Sequence, residues 1–281
     1  MLYGIKTVLS YALGTDRAGR GFAVFPDDTM IVSYPRSGNT WTRFLIANLL
    51  HPGKEVSFTN IESLIPDTAV ISSRALKRIP RPRVIKSHEY FDHRYPQVIY
   101  IVRDPRDVAL SYYTFQRKYQ QIADGFPLED YVDDFVNGRL NSASWGTWGE
   151  NVASWVCTRR NKGNLLLLRF EDMLQDTRRE LARVAEFLGL SLSDDVIERA
   201  IVNCSADRMR QLEKLEANQW AATRKHRKDI PFVGAAKAGN WRDQLSQASI
   251  LQIETAWGEL MTSLGYPLTS LATESVAARQ F

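Results

Sequence analysis

The sequence predicts an α/β protein with a single domain, in which a central parallel sheet is flanked by helices. Short apolar segments alternate along the chain with segments of helical periodicity, which is the pattern of strand and crossover helix. The strand-like segments lack alternating polar residues, as expected of strands covered on both faces. No internal repeat and no Gly/Ser-rich or Pro-rich linker divides the 281 residues, so we expect one domain.

The first predicted unit is a strand, a turn and a helix. Residues 30–34 (MIVSY) form a short apolar run, and residues 35–38 (PRSG) have turn-forming chemistry. Trp41, Phe44 and Leu45 then begin an apolar pattern with helical spacing. The order of these elements predicts a loop that leads from the end of a buried strand into a helix N-terminus.

Further strands and helices follow in alternation. Residues 84–86 and 98–103 predict two strands, and Pro105 is expected at the first position of the next helix, where its fixed φ is tolerated. A helix is predicted over about 145–160 and a fully apolar strand over 164–169. The remaining third of the chain is predicted to be mostly helical.

In that last third, a glycine and a serine indicate where two helices end and begin. Leu181, Val184 and Leu188 line one helical face that ends at Gly189, and Ser193 is expected to cap the following helix. We expect the domain to span residues 29–266, with a C-terminal tail over 267–281.

Residues 1–28 are predicted to be an N-terminal helix or a mobile segment. Lys6 is followed by an apolar run that is shorter than the roughly 20 residues needed to span a bilayer. A marginal signal peptide and an amphipathic segment lying on a membrane surface are the alternatives. No transmembrane segment is therefore expected, whereas peripheral membrane contact stays open.

Charge and cysteine content narrow the class of protein. The formal net charge of +4 suits an anionic ligand but not the concentrated basic face of a nucleic-acid binder, so we expect no nucleic-acid partner. Cys157 and Cys204 lack the close spacing of zinc ligands or of a disulfide framework. A cytoplasmic location and the absence of a bound metal are the resulting expectations.

The segment 34–41 (YPRSGNTW) has the features of an anion-binding loop. It follows a strand and opens a helix, so backbone N–H groups can converge on an anion at the positive helix end, with Arg36 beside them. The GxxxxGK[ST] spacing of a Walker A motif is absent, which disfavours a magnesium-dependent nucleotide kinase. Taken alone, the loop is equally compatible with an ordinary helix cap.

Ligands of open parallel sheets bind beyond the carboxyl ends of the strands. The residues that follow Tyr34, Lys86 and Arg103 are therefore expected to face one crevice. This places three polar clusters together.

Four segments resemble motifs of the cytosolic-type sulfotransferase family, and they occur in the family's order. YPRSGNTW (34–41) resembles the family's 5′-phosphosulfate loop PKSGTTW, and IYIVRDPRDVALSYY (99–113) resembles its 3′-phosphate segment. VIKSHEYF (84–91) and LLRFEDM (167–173) resemble its KTH and YEDM segments. The resemblance covers roughly residues 30–241 and implies a P-loop-like fold with 3′-phosphoadenosine 5′-phosphosulfate (PAPS) as donor.

The resemblance also implies which residues act. His88 would be the general base, while Lys86 and Arg36 would stabilise the bridging oxygen of the leaving phosphate. Arg103 and Ser111 would bind the 3′-phosphate. The remaining residues implied in donor binding are Ser37, Gly38, Asn39, Thr40, Trp41 and Phe170. From the residues alone, Lys86 pairing with Glu89, and Arg103 pairing with Asp104 or Asp107, are the alternatives.

One departure from the family pattern lies before Trp241. Where the family has Arg-Lys-Gly, the chain has Gly234-Ala235-Ala236, so the second clamp on the 3′-phosphate is missing. Lys237 is the expected substitute, and the alternative is the basic cluster Arg224, Lys225, Arg227 and Lys228.

The expected function is transfer of a sulfonate group from PAPS to a hydroxyl acceptor, without a metal. A glycan, a glycolipid or a small alcohol could serve as acceptor, and neither its identity nor the oligomeric state is predicted. A P-loop nucleotide kinase and a non-catalytic nucleotide-binding protein are the competing hypotheses. If His88 is the base, the rate is expected to fall below the ordinary pKa of histidine, near 6.5.

Overall fold

A computed structural model of the chain describes residues 17–140, 145–220, 223–234 and 236–269. The apolar run of the predicted N-terminal segment and most of the predicted tail lie outside these residues. Residues 17–28 consist of turns and irregular chain, joined to the body by a bridge between Arg17 and Ser72. Within the described ranges, no helix is long and apolar enough to cross a membrane.

The centre of the fold is a four-stranded sheet in which every described pairing is parallel. Its strands are β1 (Thr29–Ser33), β2 (Val84–Ser87), β3 (Gln97–Val102) and β4 (Leu165–Arg169). They lie in the order β2-β1-β3-β4. The predicted α/β class with a parallel sheet is thus confirmed, and each strand end lies within one residue of the position predicted from the sequence.

Helices precede, connect and cover the strands. In chain order they are α1 (Asn39–Leu50), α2 (Ile61–Leu64), α3 (Ser73–Leu76), α4 (Pro105–Lys118), α5 (Leu128–Val136), α6 (Trp148–Arg159), α7 (Phe170–Gln175), α8 (Thr177–Phe187), α9 (Asp194–Asn203), α10 (Ala206–Glu216), α11 (Trp241–Gln244) and α12 (Gln247–Ser263). The predicted mostly helical C-terminal third is confirmed for the residues of that third that the structure describes.

Two apolar cores lie on the two faces of the sheet. Met30 and Val32 of β1 face one core, together with residues of α4, α5, α6 and α12. Ile31 faces the other, with residues of α1, α8, α9 and α10. Because successive side chains of a strand point to opposite faces, a strand buried on both sides shows the continuous apolar run seen in the sequence.

Helix starts agree with the sequence at α4 and α9, whereas α6 begins at Trp148 rather than near residue 145. Pro105 occupies the first turn of α4, and the Asp104 carboxylate caps that helix by accepting a hydrogen bond from the backbone N–H of Arg106 at 3.0 Å. Ser193 stands at the cap position of α9, but its side chain accepts no hydrogen bond there. The predicted side-chain cap is therefore wrong, although the helix begins where expected.

Candidate functional site

The carboxyl ends of β1, β2 and β3 lie side by side, because Ile31 of β1 is in register with Lys86 of β2 and with Ile99 of β3. The chain that leaves these strands carries the predicted polar clusters. The site is built at this edge of the sheet.

The loop between β1 and α1 presents backbone donors to the crevice. Gly38 adopts a left-handed conformation, with φ of 96°, and a Cβ atom there would lie 2.4 Å from the Phe170 ring. Only glycine fits this position without displacing the ring. Among the described residues no side chain caps α1, so the first N–H groups of the helix are available to an anion.

Three buried polar atoms around this loop have no hydrogen-bond partner among the described residues. They are Ser37 Oγ, Asn39 Oδ1 and Arg103 Nε. A buried polar group left unpaired costs about 1–3 kcal/mol, so Ser37 Oγ and Arg103 Nε, which can both donate, indicate an anionic ligand, whereas Asn39 Oδ1 only accepts hydrogen bonds. Thr40 lies beside them in the first turn of α1.

Arg36 folds back over α4. Its Nε donates to Ser111 Oγ at 3.2 Å and its Nη2 donates to the carbonyl of Phe232 at 3.4 Å. The guanidinium lies 5.0 Å from the ring centroids of both Phe115 and Phe232. Burial, followed by the charge of Arg103, lowers the pKa of Arg36 to about 10. Arg36 thus contacts Ser111, although the resemblance assigns Arg36 to the 5′-phosphosulfate and Ser111 to the 3′-phosphate.

Arg103 follows β3 and crosses the same loop. Its Nη1 donates to the carbonyl of Arg36 at 3.3 Å, its Nη2 donates to the carbonyl of Lys237 at 3.1 Å, and its guanidinium lies 4.4 Å from the Phe170 ring centroid. Burial lowers its pKa. Among the described residues Arg103 forms no ion pair within 4.0 Å, so its positive charge stays available.

The alternative partners of Arg103 are engaged elsewhere. Asp104 pairs with Arg106 at 2.7 Å. Asp107 accepts hydrogen bonds from the backbone N–H groups of Gly239 at 2.6 Å and Trp241 at 3.2 Å. Pairing of Arg103 with either carboxylate is therefore wrong. Asp107 instead fastens the loop that carries Lys237.

The loop before Trp241 brings a backbone rather than a side chain to Arg103. Ala236 adopts a φ of 52°, a left-handed conformation, at the position where the family has glycine. The carbonyl of Lys237 accepts from Arg103, while the Lys237 residue as a whole is exposed. Lys237 is therefore the lysine of this loop whose backbone contacts Arg103 directly.

The alternative basic cluster points elsewhere. Arg227 is paired with Asp124 and Asp229. Lys228 Nζ donates to the backbone carbonyls of Ala217 and Thr223. Neither side chain therefore replaces the missing clamp, and Arg224 and Lys225 are exposed.

Two aromatic rings form a corner beside the loop. The Trp41 and Phe170 rings meet edge to face, with centroids 6.0 Å apart. Trp41 Nε1 donates to the carbonyl of Cys204 at 2.9 Å, which fixes the indole. This corner offers the kind of apolar surface on which a planar base can stack.

Lys86 lies near the end of β2, and His88 directly follows that strand. Lys86 Nζ lies 2.5 Å from Asp67 Oδ2, so the alternative pairing of Lys86 with Glu89 is wrong. The carboxylate of Glu89 lies instead 3.9 Å from Arg20.

His88 is half-buried, and its Nδ1 lies 2.7 Å from the carbonyl oxygen of Ser33. A carbonyl oxygen only accepts hydrogen bonds, so Nδ1 carries the hydrogen and Nε2 presents its lone pair. Burial, followed by the positive charge of Lys86, lowers the pKa of His88 to about 3. The imidazole is therefore neutral near neutral pH, and its acceptor nitrogen Nε2 has no hydrogen-bond partner among the described residues.

Two residues at this edge were not identified from the sequence. Nothing near Asp67 in the sequence indicates that it would reach Lys86. The sequence suggests Asp107 only as a partner of Arg103. Its position two residues after Pro105, on the first turn of α4, was the one available signal. Across the described ranges, no group of three or more His, Cys, Asp or Glu residues has the arrangement of a metal site.

Comparison with known proteins agrees with this architecture. Sulfotransferase 1E1 from Bos taurus is 28% identical over 242 residues, covering 81% of this chain and 81% of the relative. Sulfotransferase 1B1 from Mus musculus is 24% identical over 278 residues, covering 93% of this chain and 91% of the relative.

Two solved structures share the fold. Retinol dehydratase in complex with androsterone and the inactive cofactor PAP superposes with a TM-score of 0.74 at 21% identity, covering 89% of this chain and 85% of that one. The mouse sulfotransferase SULT7A1 complexed with PAP gives 0.69 at 22% identity, covering 92% of each chain.

The family assignment rests on the sequence match rather than on these distant structures. A family model described as the sulfotransferase domain matches residues 26–265, which include every element from β1 to α12. The predicted class of enzyme, a sulfotransferase, is thereby confirmed. The chain belongs to the sulfotransferase domain family.

Proposed function

We propose that the chain transfers a sulfonate group from PAPS to the hydroxyl of an acceptor, with His88 as general base. The observation that carries this proposal is the fixed tautomer of His88. Its Nδ1 is held by the carbonyl of Ser33 at 2.7 Å, which leaves Nε2 as a proton acceptor at the carboxyl end of the sheet.

The residues that surround the loop fit the donor's two charged groups. The first N–H groups of α1, together with the hydroxyl of Ser37, supply donors for the 5′-phosphosulfate. Arg103 supplies for the 3′-phosphate a guanidinium that forms no ion pair among the described residues, with Ser111 and Lys237 nearby. The orphaned Arg103 Nε and Ser37 Oγ support this assignment because a phosphate oxygen would satisfy each of them.

Adenine is assigned to the aromatic corner. The rings of Trp41 and Phe170 stand edge to face, and Gly38 is fixed against Phe170 by its lack of a Cβ atom. Stacking of the base on these rings would contribute affinity for the donor.

The transfer step moves one sulfonate and one proton. PAPS supplies the sulfonate already activated by its bond to the 5′-phosphate. His88 Nε2 takes the proton of the acceptor hydroxyl as the acceptor oxygen bonds to sulfur, while the bond from sulfur to the bridging oxygen breaks. Arg36 and Lys86 stabilise the charge that develops on that oxygen. Adenosine 3′,5′-bisphosphate and the sulfated acceptor are the products.

An alcohol is the supported class of acceptor. Retinol dehydratase, one of the similar structures, was solved with retinol and with androsterone, and both carry hydroxyl groups. We extend this to the present chain as a hydroxyl-bearing acceptor, with glycans, glycolipids and small alcohols as the classes to be tested. A cytoplasmic location is part of the proposal, and the free thiols of Cys157 and Cys204 support it.

The proposal is tested in two steps. Adenosine 3′,5′-bisphosphate is expected to raise the melting temperature of the protein, and ATP with Mg²⁺ is expected to have little effect. Donor labelled in the sulfonate is then incubated with panels of glycans, glycolipids, phenols and aliphatic alcohols. Stabilisation by ATP–Mg²⁺ alone would favour a nucleotide kinase. Nucleotide binding without transfer to any panel member would favour a non-catalytic protein.

A further inference from the structure

Asp67 lies beside Lys86 although the two are 19 positions apart in the chain. The segment around Asp67 pairs in parallel with β2, along the edge of that strand opposite β1. The backbone N–H of Lys86 donates to the carbonyl of Pro66 at 2.8 Å, and the N–H of Thr68 donates to the carbonyl of Lys86 at 3.1 Å. The two backbones are thus fixed to each other on both sides of Lys86.

The Asp67 carboxylate is held at both oxygens. Oδ2 accepts from Lys86 Nζ at 2.5 Å, and Oδ1 accepts from the backbone N–H of Ala69 at 2.9 Å. The exposed fractions of the two paired side chains are 11% for Lys86 and 10% for Asp67. Burial acts to raise the pKa of Asp67, but the charges of Lys86 and then Arg43 outweigh it and hold that pKa at about 2. The carboxylate is therefore ionised throughout the working pH range.

A second ion pair fixes the segment that carries Asp67. Glu62 Oε2 accepts from the backbone N–H of Asp67 at 2.9 Å and lies 2.8 Å from Arg43 Nη2. Arg43 is almost fully buried and also donates to the carbonyl of Ile65 at 2.6 Å. Arg43 belongs to α1, the helix that follows the anion-binding loop at residues 34–41, called the phosphate loop below. This helix is therefore connected to Lys86 through Glu62 and Asp67.

We propose that Asp67 is a positioning residue for sulfonate transfer, which fixes the ammonium of Lys86 toward the reacting centre. This inference rests on the function proposed above. A lysine side chain has many rotamers, and holding it in one of them costs free energy at the moment of reaction unless another group has already fixed it. The bond to Asp67 uses one of the three N–H donors of Lys86 and leaves two for the bridging oxygen.

The first test separates positioning from folding. Asp67→Asn keeps the size of the side chain but removes the charge. We expect turnover to fall 10- to 100-fold, while the dissociation constant for adenosine 3′,5′-bisphosphate changes less than threefold. Asp27→Asn is the matched control, because Asp27 forms an exposed ion pair with Arg81 and lies outside the site. Normal turnover of Asp67→Asn would overturn the inference.

The second test is a double-mutant cycle. It remains informative if Asp67→Asn alone folds poorly. Removing both partners leaves no unpaired buried charge, so Asp67→Asn combined with Lys86→Met is expected to fold. If Asp67 acts through Lys86, the double variant turns over at the rate of Lys86→Met alone. Independent, multiplied losses would contradict this role. Absence of transfer by the unmutated protein would overturn the proposed function and this inference together, whereas unchanged turnover in the variants would overturn only the inference.

Discussion

The Nδ1 atom of His88 lies 2.7 Å from the carbonyl oxygen of Ser33, the last residue of β1. The end of β1 therefore sets the tautomer of His88, which follows the neighbouring strand β2. Because Ser33 also precedes the phosphate loop, the group proposed to accept the proton and the loop proposed to hold the donor are positioned by the same strand end.

The pH dependence of transfer should lack an acid limb near the ordinary pKa of histidine. Burial and Lys86 lower the pKa of His88 to about 3, so the imidazole remains neutral as the pH falls from 8 to 5. The expected loss of base catalysis moves to below about pH 4, which revises the expectation from the sequence. Measuring kcat/KM for an alcohol acceptor reports the free enzyme's titration. A tenfold loss centred near pH 6.5 would contradict the assigned environment.

His88→Ala is expected to lose at least two orders of magnitude in turnover, since a general base contributes about 10²–10⁴-fold to the chemical step. Affinity for adenosine 3′,5′-bisphosphate and the melting temperature should change little. His93→Ala is the matched control, because His93 is exposed and outside the site. The defect should shrink for nitrophenols, whose hydroxyls are already partly ionised. Near-normal turnover of an aliphatic alcohol would move the role of base to another residue.

Arg103→Ala is expected to weaken PAPS binding by about 1.5–3 kcal/mol, the range for hydrogen bonds to charged groups. The charge of Arg103 is unpaired among the described residues, so a 3′-phosphate would be its first anionic partner. Calorimetry with PAPS and with adenosine 5′-phosphosulfate, which lacks the 3′-phosphate, checks the assignment. Equal losses for both ligands would show that Arg103 does not bind that phosphate. Arg178→Ala, on the exposed surface, should affect neither.

Lys237→Ala is expected to weaken donor binding more than Lys225→Ala. Lys237 lies in the loop that corresponds to the family's missing clamp, and its carbonyl accepts a hydrogen bond from Arg103 at 3.1 Å. Lys225 is exposed and provides a lysine of equal charge outside that loop. Titration of both variants with adenosine 3′,5′-bisphosphate at one salt concentration measures the difference. Identical affinities would mean that no side chain of this loop replaces the clamp.

The sheet and the helix after the phosphate loop could be predicted because their signals are local. Strands buried on both faces appear as apolar runs, and the glycine and the helix that follow residues 30–34 are contiguous in the chain. The four-residue helices α2 and α3 leave too short a pattern to be predicted. The ion pair between Asp67 and Lys86 depends on a segment joining the edge of β2, and no local pattern encodes that pairing. The tautomer of His88 likewise depends on a contact with another strand.

Asp107 provides the last prediction, because it connects α4 to the loop that contacts Arg103. Its two oxygens accept from the N–H groups of Gly239 and Trp241, at 2.6 Å and 3.2 Å. Asp107→Ala leaves both donors unpaired in a partly buried place, so we expect a loss of about 1–3 kcal/mol in the free energy of unfolding.

The same change should loosen the carbonyl of Lys237 from Arg103 and weaken binding of adenosine 3′,5′-bisphosphate. Asp107→Asn separates the two effects, since an amide oxygen can still accept one of the two hydrogen bonds and should recover part of the stability. Denaturant unfolding and nucleotide titration are measured on both variants, with Asp229→Ala as the exposed control. If Asp107 positions the loop, its removal lets the carbonyl of Lys237 move away from Arg103, and nucleotide binding should weaken. A destabilised Asp107→Ala variant that binds nucleotide normally would show that Asp107 supports the fold without positioning the loop.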